Sequence, residues 1–141
     1  MDLSAFLAEN VEPVKNVEYI VSTRFKDEGG KPVPWTVRVI SSAEDEQLRK
    51  SCRKRVQVPG KKNQYTSETD YDQYVGKLLV ACTVTPNLND ATLQDSYHVM
   101  GAEQLLKAML TAGEYANYAE KVQEICGFDV GLQDEVDEAK N

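Results

Sequence analysis

Between Gln94 and Asp129 the chain reads QDSYHVMGAEQLLKAMLTAGEYANYAEKVQEICGFD. Ala102, Leu105, Leu106, Met109 and Leu110 recur at helical spacing, and so do Tyr115, Tyr118, Ala119, Val122, Ile125 and Cys126. Each set places one apolar stripe on one helix face. The spacing predicts two short amphipathic helices joined at Ala112 and Gly113. Helices of this length are marginal in water alone, because nucleation costs more than a few turns of propagation return. The pair must therefore dock on another surface, and the rest of the chain has to supply most of it.

Two other segments offer that surface. Over residues 17–41, Tyr19, Val21, Thr23 and Phe25 alternate with polar neighbours, as do Trp35, Val37 and Val39. The turn-rich run from Asp27 to Pro32 lies between them, which predicts a β-hairpin with one buried face and Trp35 in the core. From Thr66 or Ser67 to about Val84, Tyr71, Tyr74, Val75, Leu78, Leu79 and Cys82 keep helical spacing, until Thr85-Pro86 stops the ladder. The expected fold class is α+β: an N-terminal β-hairpin or small antiparallel sheet packed on a mostly helical C-terminal bundle.

The remaining segments complete one domain over 1–141. Residues 1–16 form an N-terminal arm in which Leu3, Phe6, Leu7 and Val11 line one side, with Ser4 as a helix cap and Pro13 as a stop. That arm either packs on its own domain or serves as a docking peptide. Residues 42–128 make the helical part. It opens with a helix capped by Ser41 or Ser42 that carries acids first and bases last, an order that complements the helix dipole. A basic loop or small second hairpin follows at 53–66. Asn89 and Asp90 offer caps for a short turn, and Gly127 stands where a left-handed C-terminal cap belongs, with Phe128 folding back. Residues 129–141 form an acidic C-terminal tail.

Charge narrows the partners. The net charge is −7, yet Arg49, Lys50, Arg53, Lys54, Arg55, Lys61 and Lys62 place +7 within residues 49–62, which leaves −14 on the remainder. Such a molecule is strongly dipolar and orients on charged partners or on copies of itself. The acidic remainder disfavours nucleic acid and anionic lipid. No apolar run approaches the ~20 residues that span a membrane. Three cysteines at wide spacing predict reduced thiols rather than a disulfide framework.

No catalytic motif stands out. The one histidine, His98, has no metal-ligand spacing around it, and a structural or surface role is expected. Cys82 and Cys126 fall on apolar stripes, where free cysteine acts as a small hydrophobe. Cys52 lies in the basic segment, where a lowered thiol pKa is conceivable, so it is the one candidate for thiol chemistry. Gly29-Gly30 lacks a phosphate-loop context. No residue is assigned a catalytic, metal-ligating or cofactor-binding role, and no cofactor is expected.

Three blocks together carry a family resemblance: YIVSTRFKDEGGKPVPWTVRVISSAEDEQLRKSC from Tyr19 to Cys52, LQDSYHVMGAEQLLKAMLTAGEYANYAEKVQEICGFD from Leu93 to Asp129, and VDEAKN from Val136 to Asn141. In order and over nearly the whole chain, they resemble the XkdN-like tail assembly chaperones of phages and PBSX-type defective prophages. One departure is His98, where glycine is common in the family. The resemblance implies a non-catalytic assembly factor in the host bacterial cytoplasm. It would bind the tape measure protein, keep it soluble and help the tail tube protein polymerise around it.

The expected client-binding residues are the outward side of the helix pair at Tyr115 and Tyr118, the arm residues Leu3, Phe6 and Leu7, and the tail residues Leu132 and Val136. A small structural subunit retained in the particle is the alternative, and a thiol-dependent enzyme using Cys52 a more distant one. Related systems also make a longer product by ribosomal slippage. Ala139-Lys140-Asn141 is compatible with the slippery codons GCA AAA AAC, so a frameshifted longer form of the chain is expected as a further partner.

Overall fold

The computed structural model describes residues 2–128. Among the described residues, two small antiparallel sheets and five α-helices make a mixed α+β fold. The first sheet begins with β1 (Val17–Tyr19) paired to β2 (Trp35–Val37), in the register Val17 to Val37 and Tyr19 to Trp35. This is shorter than the expected hairpin, for two reasons. Val21 and Ser22 both turn inward, which ends the alternation after Tyr19. Pro32 and Pro34 then have no N–H to give a ladder. Pairing resumes only as a single bridge between Lys26 and Pro32. There Asp27 Oδ1 accepts from the Lys31 N–H at 3.0 Å, and Gly30 takes a φ of 81°.

A third strand, β5 (Thr83–Thr85), pairs with the other edge of β2. The sequence reading placed these residues at the end of a helix over 67–84, which the structure corrects at both ends. Helix α2 runs Tyr71–Cys82, with the Asp70 side chain accepting from the Gln73 N–H. Residues before it are strand because Tyr65–Thr69 is a β-branched, polar-alternating run that pairs with Arg53–Gln57. After Cys82 the chain turns extended because Thr85 precedes Pro86, which disfavours helical backbone. The Thr83 hydroxyl donates to the Leu79 carbonyl at 2.6 Å. Arg38 of the strand side covers the same helix end, its backbone N–H donating to Cys82 O and its Nε to Ala81 O, each at 2.8 Å. Cationic and N–H donors at a helix C-terminus satisfy carbonyls that lack intrahelical partners.

Helix α1 (Ser42–Ser51) is capped by Ser41, whose hydroxyl accepts from the Glu44 N–H. Strands β3 (Arg53–Gln57) and β4 (Tyr65–Thr69) form a hairpin, so the basic segment is not a plain loop. Short helix α3 (Ala91–Ser96) starts at an Asp90 cap. Helices α4 (Ala102–Met109) and α5 (Ala112–Ile125) are the expected pair, but their junction is Leu110-Thr111. Thr111 and Glu114 form a reciprocal capping box there, a stronger start signal than apolar periodicity. At the far end Gly127 has a φ of 86°, and the Phe128 N–H returns to Gln123 O at 2.9 Å, which makes the expected left-handed cap.

The core lies where the sheet meets α2, α4 and α5. Trp35 and Val37 enter from β2, Tyr74, Leu78, Leu79 and Cys82 from α2, Leu105, Leu106 and Met109 from α4, and Tyr118 and Val122 from α5. Ile125 and Val75 are half-buried at its margin. Ile40, rather than Val39, completes the β2 side, because β2 ends at Val37 and a register shift follows Thr36.

Candidate interaction surfaces

The N-terminal arm has its own local order and almost no shelter. Ser4–Phe6 form one 3₁₀ turn, with Asp2 Oδ1 accepting from the Ser4 N–H at 2.9 Å. Ser4 is therefore inside the turn and not its cap. A second turn follows, closed by the N–H groups of Asn10 and Val11 on Leu7 O, and Asn10 Nδ2 donates to Ser4 O at 2.8 Å. Every residue from Asp2 to Glu18 is exposed. Among them are the expected Leu3, Phe6, Leu7 and Val11, and also Val14; Phe6 and Val14 are each 74% exposed. Such a concentration of exposed apolar side chains is unusual on a lone folded chain and makes the arm a candidate interaction surface.

The helix pair contributes less than its sequence promised. Tyr118 does not face outward: it is fully buried, so it belongs to the core rather than to a client surface. Its ring packs edge-on to Trp35 at 5.3 Å and stacks on Tyr19 at 6.3 Å, and its hydroxyl lies 2.6 Å from Thr83 Oγ1. Burial pushes its phenol pKa up to about 12. Tyr115 is half-buried, with its hydroxyl beside Gly76 and Glu103; burial is also the first cause that raises its pKa. Leu132 and Val136 lie outside the described residues. The start of α5 is gripped from the β1–β2 connection. Arg24 pairs with Glu114 and donates to Met109 O at 2.9 Å, and this guanidinium holds the Glu114 carboxyl down to about 2.

A second exposed feature is the β3–β4 hairpin. Its five cross-strand pairs run from Arg53–Thr69 to Gln57–Tyr65, which places Arg53 and Arg55 on one face and Lys54 and Val56 on the other. Residues 53–68 are exposed except for half-buried Val56 and Val58. The Arg55 guanidinium lies 3.7 Å over the Tyr65 ring. At the tip, Gln57 Nε2 donates to the carbonyls of Lys61 and Lys62 at 3.2 Å each, around a shallow dent of about 270 Å³. Sequence patterning left this region open between loop and hairpin, since Pro59-Gly60 marks a turn but few apolar residues mark strands.

The residues weighed for chemistry sit apart. Cys52 is fully buried with Ser51 Oγ at 3.7 Å, so it is not the accessible thiol its basic neighbourhood implied. Cys82 and Cys126 face each other at 3.7 Å as free thiols, and burial drives the Cys82 pKa upward. His98 is exposed at a φ of 57°, just past α3, with its backbone N–H on Asp95 O. That left-handed backbone is one glycine adopts without strain. Among the described residues, no three His, Cys, Asp or Glu side chains are grouped to hold a metal, and no helix is long and apolar enough to cross a membrane.

An apolar arm, a basic hairpin and a sealed core match a binding protein, and the sequence comparison gives the family. The sequence model of the phage XkdN-like tail assembly chaperone proteins matches residues 3–140. The chain belongs to that family. It is 32% identical to the uncharacterized protein YqbN of Bacillus subtilis (strain 168) over 141 residues, covering 99% of this chain and 93% of that protein. It is 27% identical to the phage-like element PBSX protein XkdN of the same strain, covering 99% and 94%. The crystal structure of YqbN superposes with a TM-score of 0.77 at 28% identity, over 92% of this chain and 98% of that one.

Proposed function

We propose that this XkdN-like chain is a non-catalytic chaperone that acts in the host cytoplasm and covers apolar stripes of the tape measure protein while the tail tube assembles. The observation that carries this reading is the arm: its apolar side chains are exposed, and its turns are already ordered by internal hydrogen bonds. An amphipathic segment of this kind binds a helical client by laying its apolar side against the client's stripe. Preordered turns lower the entropy lost on docking. Half-exposed Tyr115 extends the surface, and Leu132 and Val136 of the tail are proposed as a second handle. The tail tube protein and a frameshifted longer form of the chain are proposed as further partners.

Co-expression with the tape measure protein of the same phage tests the proposal. The native chain is expected to raise the soluble fraction of that protein and to co-purify with it. The triple variant Leu3→Asp, Phe6→Asp, Leu7→Asp is expected to do neither while melting at the native temperature, because these side chains support nothing in the core. Unchanged solubility without co-purification refutes the reading. Stoichiometric recovery of the chain from finished tails would favour a structural subunit.

A further inference from the structure

We propose that two copies of this chain pair reciprocally, the arm of each lying on the β3–β4 hairpin of the other. The two surfaces are complementary in sign, and both are largely unpaired among the described residues. The hairpin carries Arg53, Lys54, Arg55, Lys61 and Lys62 against one acid, Glu68, which sits 3.9 Å from Lys54. Among the described residues, Arg53, Arg55, Lys61 and Lys62 enter no salt bridge. The arm from Asp2 to Asn16 holds Asp2, Glu9 and Glu12 against Lys15, and among the described residues none of these acids is in a salt bridge either.

The apolar contacts agree with the charges. On the face that carries Arg53 and Arg55, the hairpin offers the exposed ring of Tyr65 beneath the Arg55 guanidinium. The arm offers Phe6, Leu7 and Val11 between its acids. A two-stranded hairpin standing clear of a core is marginal by itself and gains from a third layer or strand. The arm springs from β1, which belongs to the other sheet, so the two features are not strand neighbours within one chain. A second copy presents both at once, and reciprocal exchange closes the assembly as a two-fold dimer. Nucleic acid is the less favoured occupant of the hairpin, because the remainder of the chain carries −14 and repels a polyanion. The pairing requires no client, so it stands or falls separately from the proposed function. A client that takes the arm displaces the second copy.

Sedimentation velocity of the full chain, with no client present, tests the pairing. The native chain is expected to form a concentration-dependent dimer at low salt, with a dissociation constant that rises about tenfold or more at high salt. The hairpin variant Arg53→Glu, Arg55→Glu and the arm variant Glu9→Lys, Glu12→Lys are each expected to be monomeric. Mixed in equal amounts, they are expected to regain a dimer, because the unchanged arm of one then meets the unchanged hairpin of the other, and the reversed arm meets the charges reversed at positions 53 and 55. The recovery also shows that both variants are folded. A chain that stays monomeric under all conditions overturns the proposal, as does a dimer indifferent to both reversals or a mixture that fails to pair. A monomer that binds a fluorescein-labelled single-stranded oligonucleotide, with binding lost in the hairpin variant, overturns it in favour of nucleic acid.

Discussion

Replacing Tyr118 by phenylalanine removes one oxygen from the middle of the fold and separates two roles that its sequence position leaves open. The Tyr118 hydroxyl meets Thr83 Oγ1, and Thr83 already donates its only hydroxyl proton to the Leu79 carbonyl. Tyr118 must therefore be the donor and Thr83 the acceptor. In Tyr118→Phe the threonine keeps its bond to Leu79 and loses only an incoming donor, so the cost is about 1 kcal/mol. Thr83→Val is nearly isosteric but leaves the buried Tyr118 O–H without an acceptor and removes one of the two donors on Leu79 O, which keeps the backbone N–H of residue 83. It costs about 2 kcal/mol or more. Tyr118→Ala removes the ring from between Trp35 and Tyr19 and opens a cavity, at about 4 kcal/mol. Urea unfolding followed by circular dichroism, with the slope checked for constancy, measures all three.

The order Phe, Val, Ala is the content of the prediction. A loss below about 1 kcal/mol for Tyr118→Ala would refute the placement of this ring in the core. A larger loss for Tyr118→Phe than for Thr83→Val would refute the donor assignment. The raised phenol pKa supplies a second readout. The folded state holds the proton up to about 12, against 10.0 ordinarily. Below pH 10 both states are protonated and this contribution is fully present. As pH climbs from 10 towards 12 the unfolded chain loses the proton first, and stability falls. Tyr118→Phe is expected to lessen that decline, with Tyr74 and Tyr115, also raised by burial, supplying what remains.

Three further outcomes are expected. Glu114 is held near 2 chiefly by Arg24, so its contribution is present above its ordinary 4.5 and is lost as pH falls from 4.5 towards 2; Glu114→Gln flattens the acid limb of stability against pH in that window. His98→Gly relieves a left-handed backbone at the cost of more freedom in the unfolded chain, and raises stability by about 0.5 kcal/mol in urea unfolding; a loss of 1 kcal/mol refutes the strain argument. Cys52, sealed behind α1, is expected to react with a disulfide reagent about a hundredfold or more slowly than a thiol in an unstructured peptide, and mass spectrometry of the labelled sites checks this.

Much of this fold is legible in the sequence where one local rule decides. Ser41 and Asp90 cap helices, Gly127 and Phe128 close one, and Trp35 enters the core. The Thr111 to Glu114 spacing also carries the α5 boundary, whereas apolar periodicity alone sets it a residue or two later. Nonlocal pairing is what the sequence conceals. Thr83–Thr85 becomes a strand only because β2 offers it an open edge 46 or more residues earlier in the chain, where Thr36 meets Thr85 and Val37 meets Thr83. Tyr118 is hidden for a related reason. The apolar residues of α5 spread over a wide arc from Tyr115 to Cys126, so spacing cannot say which edge faces inward. Packing on Trp35 and a partner hydroxyl at Thr83 decide it. On the candidate surface, the arm's apolar character is visible in sequence, but its exposure depends on the core being filled without it.

That division has an energetic consequence for how such a chain can act. Burying Leu3, Phe6, Leu7, Val11 and Val14 fully would contribute about 2 kcal/mol each, a gross gain of about 10 kcal/mol. Association costs about 4 kcal/mol or more in lost translation and rotation, and ordering the arm's free end and rotamer-rich side chains costs more. The hydrogen-bonded turns from Leu3 to Val11 reduce the ordering cost without removing it. What remains corresponds to weak, reversible binding, whichever surface the arm meets. Electrostatic attraction then governs how often the surfaces meet, and salt tunes the exchange. This range suits the proposed function, in which a client is covered and later released, and a deeper anchor such as Tyr118 would hold too long. The ring that the sequence nominated as a handle is better placed where it is, holding rigid the body from which the arm extends.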